Sequence, residues 1–329
     1  MDKTTINDSN LNTVIITGGN TGLGYQCAKE IASARGWRVI LACRDETRAA
    51  HAVARLVAET SNSHIEAMPL DLASLASVRR FAQDFLARDR RPLKALVCNA
   101  GIQIVTGLTY TPDGFETTFA VNHLGHFLLI NLLLRCLEPP ARIVIVSSGV
   151  HDPEHWSGMP APRYQDAKLL AWPDRDPAAR TASPGTAGRR AYTTSKLCNV
   201  LCAYELVRRL RHRSAPSPIS VNVFDPGLLP GSGLARDYSP LQPFAWNFIL
   251  PWLRLFVPVV SSPRKSGKAL ARLVLAPEFE GVSGKYFQIF KEIPSSKGSY
   301  DERKAADLWE TSVELVKPGP EESVFHAMG

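Results

Sequence analysis

Seven short runs of mostly apolar residues, separated by longer helical patterns, constrain this chain more than any other feature. They are TVIIT from Thr13, RVILAC from Arg38, IEAMPLD from Ile65, LKALVCNA from Leu93, RIVIVSS from Arg142, ISVNVFDP from Ile219 and GKYFQI from Gly284. A strand with one wet face alternates apolar and polar residues, whereas a strand covered on both faces is apolar nearly throughout. Most of these runs are of the second kind. Such strands, alternating with helices, make right-handed crossovers in a parallel sheet. The expected fold is therefore α/β: a doubly wound parallel sheet of about seven strands, flanked by helices on both faces, in a single domain. A ligand of such a sheet sits beyond the carboxyl ends of the strands, where the strand order reverses.

The bulk numbers narrow the class. With 329 residues, 45% hydrophobic and 21% charged, the chain can bury one large core, which sets aside disordered and fibrous classes. Residues 1–10 read as a flexible tail, 11–320 as the single domain, and 321–329 as a C-terminal tail. Residues 150–190 are rich in Pro, Ala, Arg and Asp and read as a partly mobile surface insertion. Residues 228–262 read as a segment that covers the substrate. Within it, 241–260 is apolar but broken by Pro243, Pro251 and Pro258 and charged at Arg254, so it suits a membrane surface, an apolar ligand or a buried helix pair better than a span.

Six cysteines without a C-x-x-C pair suggest a reducing compartment, and the polar start MDKTTINDSNLN lacks a secretion signal's apolar core. A cytoplasmic location follows as the expectation, with peripheral membrane contact through 241–260 as a variant. The net charge of +7 gathers at Arg88 to Arg91 and Arg208 to Arg213, near expected helix ends, without the aromatic interleaving of a nucleic-acid binder. His123 and His126 read as helix-face residues and His151 and His155 as part of the insertion. None has the partners of a metal site. Whether the subunit forms a homo-oligomer stays open.

The first run leads straight into TGGNTGLG, placing Gly18, Asn20, Thr21, Gly22, Leu23 and Gly24 in a strand-to-helix turn. Glycines there let the backbone approach a pyrophosphate, whose charge meets the amino end of the next helix. The fold is thus of the Rossmann type, although the spacing is G-x-x-x-G-x-G. The second run ends in ACRD, with Arg44 where a chain selecting the unphosphorylated dinucleotide carries a carboxylate. A guanidinium suits a 2′-phosphate, so NADP(H) is expected. Arg48 is a second candidate contact, and Asp45 offers a competing bond to a ribose hydroxyl.

Asp71 and Leu72 close the third run and suit an adenine edge. Asn99, Ala100 and Gly101 close the fourth, small enough for the chain to pass beneath a ribose. At the end of the fifth, alternation along the strand turns Ser148 to the ligand and Ser147 away.

Tyr192 and Lys196, in AYTTSKLCNVLCAYELVRRL, stand one helical turn apart on a shared face. A tyrosine titrates near ~10, too high for acid–base work at neutral pH, and a neighbouring ammonium lowers that value. Cys198 lies on another face of the same helix and reads as core.

Taken in order, TGGNTGLG, Asp71, CNAG, VNHLGHF, IVSS, YTTSK and DPG resemble the motifs of short-chain dehydrogenases/reductases over residues 13 to about 227. ACRD, LDLASLASVR, DGFETTFAVNHLGHFLL, SKLCN, GVSGKYF and ADLWETSVELV extend the resemblance to about residue 316. They are similar to the branch holding retinol dehydrogenases and protochlorophyllide reductases.

This resemblance implies that Tyr192 exchanges a proton with the substrate oxygen and that Lys196 lowers its pKa and holds the nicotinamide ribose. It further implies that Ser148 bonds the substrate oxygen, that Asn122 anchors a water linking Lys196 to solvent, and that Pro226 and Gly227 border the nicotinamide. The threonine that often follows is missing, and Ser232 is the candidate substitute. The separation of 44 positions from Ser148 to Tyr192 exceeds the usual one.

The light-driven branch has NAA where this chain has NAG, and threonine near the serine position. The expected activity is therefore NADP(H)-dependent hydride transfer at the carbonyl or alcohol of a bulky hydrophobic small molecule, such as a retinoid, steroid, polyketide or terpenoid. Light-dependent C=C reduction and a non-catalytic dinucleotide sensor are the alternatives.

Overall fold

The structure, a computed structural model, describes residues 11–88, 92–155, 157–177, 181–214, 217–229 and 261–319. Its strands are β1 (Asn12–Thr17), β2 (Trp37–Cys43), β3 (Ile65–Pro69), β4 (Leu93–Cys98), β5 (Leu137–Val146), β6 (Ile219–Asp225), β7 (Tyr286–Gln288) and β8 (Lys291–Ile293). They form one sheet in the order β3-β2-β1-β4-β5-β6-β7-β8. From β3 to β7 every pairing is parallel, and only β8 runs antiparallel, against β7.

The strand count is thus eight rather than about seven. β8 escapes a reading of apolar runs because its residues, Lys291, Glu292 and Ile293, are mostly exposed edge positions. Its pairing follows from the turn at Ile289, where φ is +53°.

The helices are α1 (Gly22–Ala32), α2 (Glu46–Thr60), α3 (Leu75–Arg88), α4 (Thr117–Phe119), α5 (Gly125–Leu133), α6 (Ala167–Ala171), α7 (Pro184–Arg213), α8 (Pro263–Leu275) and α9 (Glu302–Val316). A π-helical turn, Ala120–Leu124, joins α4 to α5. Alternate strand residues feed two cores: Val14, Ile16, Val39 and Leu41 pack with α1, α2 and α8, while Ile15, Ile40, Leu96 and Ile143 pack with α3, α5, α7 and α9. Both sheet faces are therefore dry, which is why the inner strands are mostly apolar. Trp309 of α9 closes the second core, edge-on to Phe127 at 4.9 Å.

The run Thr117–Cys136 is long and apolar enough to cross a membrane, yet 89% of its apolar stretch is buried inside the fold. The described part of 150–190 is tied down by specific bonds. Tyr164 donates to Asp307 (2.8 Å), Trp172 Nε1 donates to the Gly114 carbonyl (2.9 Å), and Arg163 pairs with Asp176 (2.9 Å). Most of 228–262, with 241–260 and Ser232, lies outside the described residues, as do the two tails. The chain leaves the description at Leu229 and re-enters at Ser261, whose N–H donates to the Leu228 carbonyl (2.9 Å).

Candidate active site

β1 and β4 lie side by side where the strand order reverses, and the glycine turn springs from β1 at that point. Gly18 and Gly22 have φ of +64° and +55°, a region that favours glycine. Gly24 is small for a different reason: a Cβ there would lie 2.5 Å from both Asn99 Nδ2 and the Gly18 carbonyl. Thr21 begins α1 without a side-chain cap, and no acidic residue occupies its first turn. Its first N–H groups are left for a ligand or solvent, as an anion site requires.

Asn99 ties the turn down, its Nδ2 donating to the carbonyls of Thr17 (2.9 Å) and Gly18 (3.3 Å). Arg44 and Arg48 are exposed just past β2. Asp45 is engaged as the cap of α2, accepting from the Arg48 N–H (2.9 Å) and pairing with Arg48 Nε (3.1 Å). The Arg48 guanidinium is therefore committed, while Arg44 has no ion pair among the described residues. The Asp71 carboxylate accepts from the Ala73 N–H (3.0 Å), and Leu72 is buried against α5.

On the other side of the switch point, α7 carries Tyr192 and Lys196, both buried. Lys196 Nζ stands 5.6 Å from the centre of the Tyr192 ring and donates to the Val146 carbonyl at the end of β5 (3.3 Å). Burial pulls the lysine down to a pKa of about 8, against the opposing charge of Asp225. Ser147 is buried and donates to the Lys196 carbonyl (2.7 Å), whereas Ser148 is half-buried at the strand end.

Asn122 sits in the π-helical turn. Its Oδ1 accepts from the Ile102 N–H (2.8 Å), and its Nδ2 donates to the Ile102 carbonyl (3.0 Å) and to Ser195 Oγ (3.0 Å). Gly101 lies between these groups; a Cβ on it would come within 3.5 Å of Lys196 Nζ. Gly227 N–H donates to Asp225 Oδ1 (2.9 Å), and Ser266 holds the Pro226 carbonyl (2.7 Å), so both line the rim past β6.

A short-chain dehydrogenase family model matches residues 12–161. Human retinol dehydrogenase 12 is 38% identical over 305 residues, covering 92% of this chain and 85% of that protein. The chloroplastic protochlorophyllide reductase of Daucus carota is 37% identical over 318 residues, covering 92% of this chain and 77% of its own. The chain belongs to the short-chain dehydrogenase/reductase family. It is accordingly an oxidoreductase with a nicotinamide-dinucleotide fold. A crystal structure of an uncharacterized protein from Mycobacterium Paratuberculosis superposes with a TM-score of 0.65 at 30% identity, covering 93% of each chain.

Around these family motifs stand residues whose hydrogen bonds join separate elements of the fold. Thr17 Oγ1 accepts from the N–H groups of Asn99 and Ala100 (both 2.9 Å) and meets His126 Nε2 at 2.9 Å. His126 Nδ1 in turn donates to the Asn122 carbonyl (3.2 Å). One imidazole thus joins the glycine-turn strand to the π-helical turn. Burial holds His126 down to about 4 and His123 to about 3, so both rings are neutral. His123 meets Ser312 of α9 at 2.9 Å.

His151, placed in the insertion by its position in the sequence, is instead 2% exposed and bonded next to Ser148. No local pattern announces these contacts, because their partners lie up to 189 residues away. Cys198 is buried in the core, where desolvation raises its thiol pKa. Among the described residues, no three His, Cys, Asp or Glu side chains gather as a metal site.

Proposed function

We propose that the protein transfers a hydride reversibly between NADP(H) and the carbonyl or alcohol of a bulky hydrophobic small molecule. The observation that carries this reading is a buried ammonium beside a buried phenol, at the rim where the parallel strands end. Positive φ at Gly18 and Gly22, the crowding at Gly24 and the uncapped start of α1 fit a pyrophosphate. The uncommitted Arg44 fits a 2′-phosphate better than a bare ribose. When bound, the dinucleotide supplies or accepts the hydride.

The chain's own residues handle the proton and the charge. Tyr192 gives its phenolic proton to the substrate oxygen in reduction and takes it back in oxidation. Lys196, still mostly protonated at neutral pH, stabilises the phenolate that remains, more strongly for being desolvated. Ser148 donates a hydrogen bond to the same oxygen as charge builds on it. Asn122 fixes the backbone at Ile102, next to Gly101, which backs the lysine.

The apolar stretch 241–260 and the likeness to a retinol dehydrogenase favour a large apolar substrate. Residues 228 and 261, which flank most of that stretch, are bonded beside Pro226 and Gly227.

The test is NADPH consumption with all-trans-retinal, a 3-ketosteroid and decanal, against glyceraldehyde. Turnover confined to glyceraldehyde would remove the apolar substrate. The Tyr192→Phe variant is expected to lose kcat by about 100- to 10,000-fold while binding NADPH nearly as the parent does. Full activity in that variant would refute the mechanism, and turnover only under illumination with protochlorophyllide would replace it.

A further inference from the structure

We infer that His151 is a positioning residue for Ser148, holding the serine's carbonyl so that its hydroxyl stays aimed at the reacting oxygen. The inference rests on the reading of Ser148 given above. β5 pairs with β6 as far as Val146 and Phe224, and the Ser147 N–H still donates to the Phe224 carbonyl (2.8 Å). Beyond Ser147 the ladder no longer holds the backbone. The chain then enters a single 3₁₀ turn, Gly149–His151, whose first acceptor is the Ser148 carbonyl.

That carbonyl receives two bonds from one residue: the His151 backbone N–H at 3.1 Å and His151 Nδ1 at 2.8 Å. The other ring nitrogen, Nε2, accepts from the Ser296 N–H at 3.0 Å. A carbonyl only accepts and an amide N–H only donates, so the tautomer is dictated: Nδ1 carries the proton and Nε2 presents its lone pair.

The ring has little freedom to turn. It lies 5.0 Å from the Tyr286 ring, whose hydroxyl is 3.4 Å from Nδ1. Asp225, beside Tyr286, is held by the Gly227 N–H and by Gln288 Nε2 (3.0 Å). The loop after β8 therefore reaches the serine through one buried imidazole. At the surface the same two segments are also joined by the pair Lys297–Glu154 (2.8 Å), but both partners are largely exposed and contribute little.

Asparagine places an amide nitrogen where Nδ1 stands, and glutamine reaches the place of Nε2. With NADPH and all-trans-retinal, His151→Gln is expected to lose kcat by about 10- to 100-fold with KM for NADPH unchanged, while His151→Asn stays within about threefold of the parent. Wild-type kcat in His151→Gln, or equal losses in the two variants, would overturn the proposal. In the wild-type protein, ¹⁵N–¹H correlation of the imidazole should report the Nδ1–H tautomer at neutral pH. An Nε2–H tautomer or an imidazolium would overturn it without recourse to activity. Ser148→Ala separates the two levels: full activity there defeats the reading of Ser148, whereas a dead Ser148→Ala beside an active His151→Gln defeats the role of His151 alone.

Discussion

At the β1–β2 end of the sheet the rim is made of backbone and exposed charge: glycines in left-handed conformations, an uncapped helix start, and Arg44, Asp45 and Arg48 in solvent. At the β5–β7 end it is made of buried side chains, where Ser147, Lys196, Asn199, His151, Asp225 and Tyr286 bond one another or nearby carbonyls. The first arrangement suits holding a large anion, since N–H groups and guanidinium ions need no burial to meet phosphate. The second suits proton transfer, because removing water strengthens each charge and lets a lysine titrate near neutrality. The cost falls on stability, for a buried ammonium is expensive unless fully paired.

Perturbing the two ends should break or sharpen this contrast. The largest effect on cofactor affinity is expected from Gly24→Ala, whose new methyl must displace Asn99 and the Gly18 carbonyl from 2.5 Å. Overpacking of this kind costs on the order of 1–3 kcal/mol, and fluorescence titration should show NADPH affinity falling by about 100-fold. Unchanged affinity would mean that the turn does not hold the dinucleotide.

Lys196→Met should abolish turnover yet raise stability. The folded lysine titrates at about 8 rather than the usual 10.5, so between those values the unfolded chain binds more protons. Wild-type stability must then climb from about pH 8 to 10.5 through this group, while Lys196→Met lacks that climb. At pH 7 the variant should be more stable by on the order of 3 kcal/mol, read by urea denaturation of the cofactor-free protein. A less stable variant would show the ammonium to be well compensated.

The smallest effects belong to the exposed rim. Arg44→Ser should reduce the preference for NADPH over NADH by about 10- to 100-fold, the usual worth of a hydrogen bond to a charged group. Arg48→Ala should change it by less than about threefold, because that guanidinium is bonded to Asp45 and exposed to solvent. Equal losses would place the 2′-phosphate between both arginines.

The two ends also differ in how readily they are read from sequence. TGGNTGLG and ACRD act through neighbours in the chain, so their chemistry is visible in eight and four letters. Tyr192 and Lys196 are visible as a pair because a helix fixes their separation. Thr17, His126, Ser195 and His151 work through partners on other elements, as when Asn122 on the π-helical turn meets Ser195 on α7. Nothing in the residues around His151 distinguishes a buried ring from a loop histidine.

The sequence by itself determined the parallel sheet, its switch point and the residue types that line it, because strand periodicity, glycine conformation and helix spacing are local physics. The eighth strand, the π-helical turn under Asn122 and the lowered pKa of Lys196 were decided only by the tertiary structure. So was the bond from His151 to Ser148. Edge pairing, burial and long-range hydrogen bonds exist only once distant segments exclude water together.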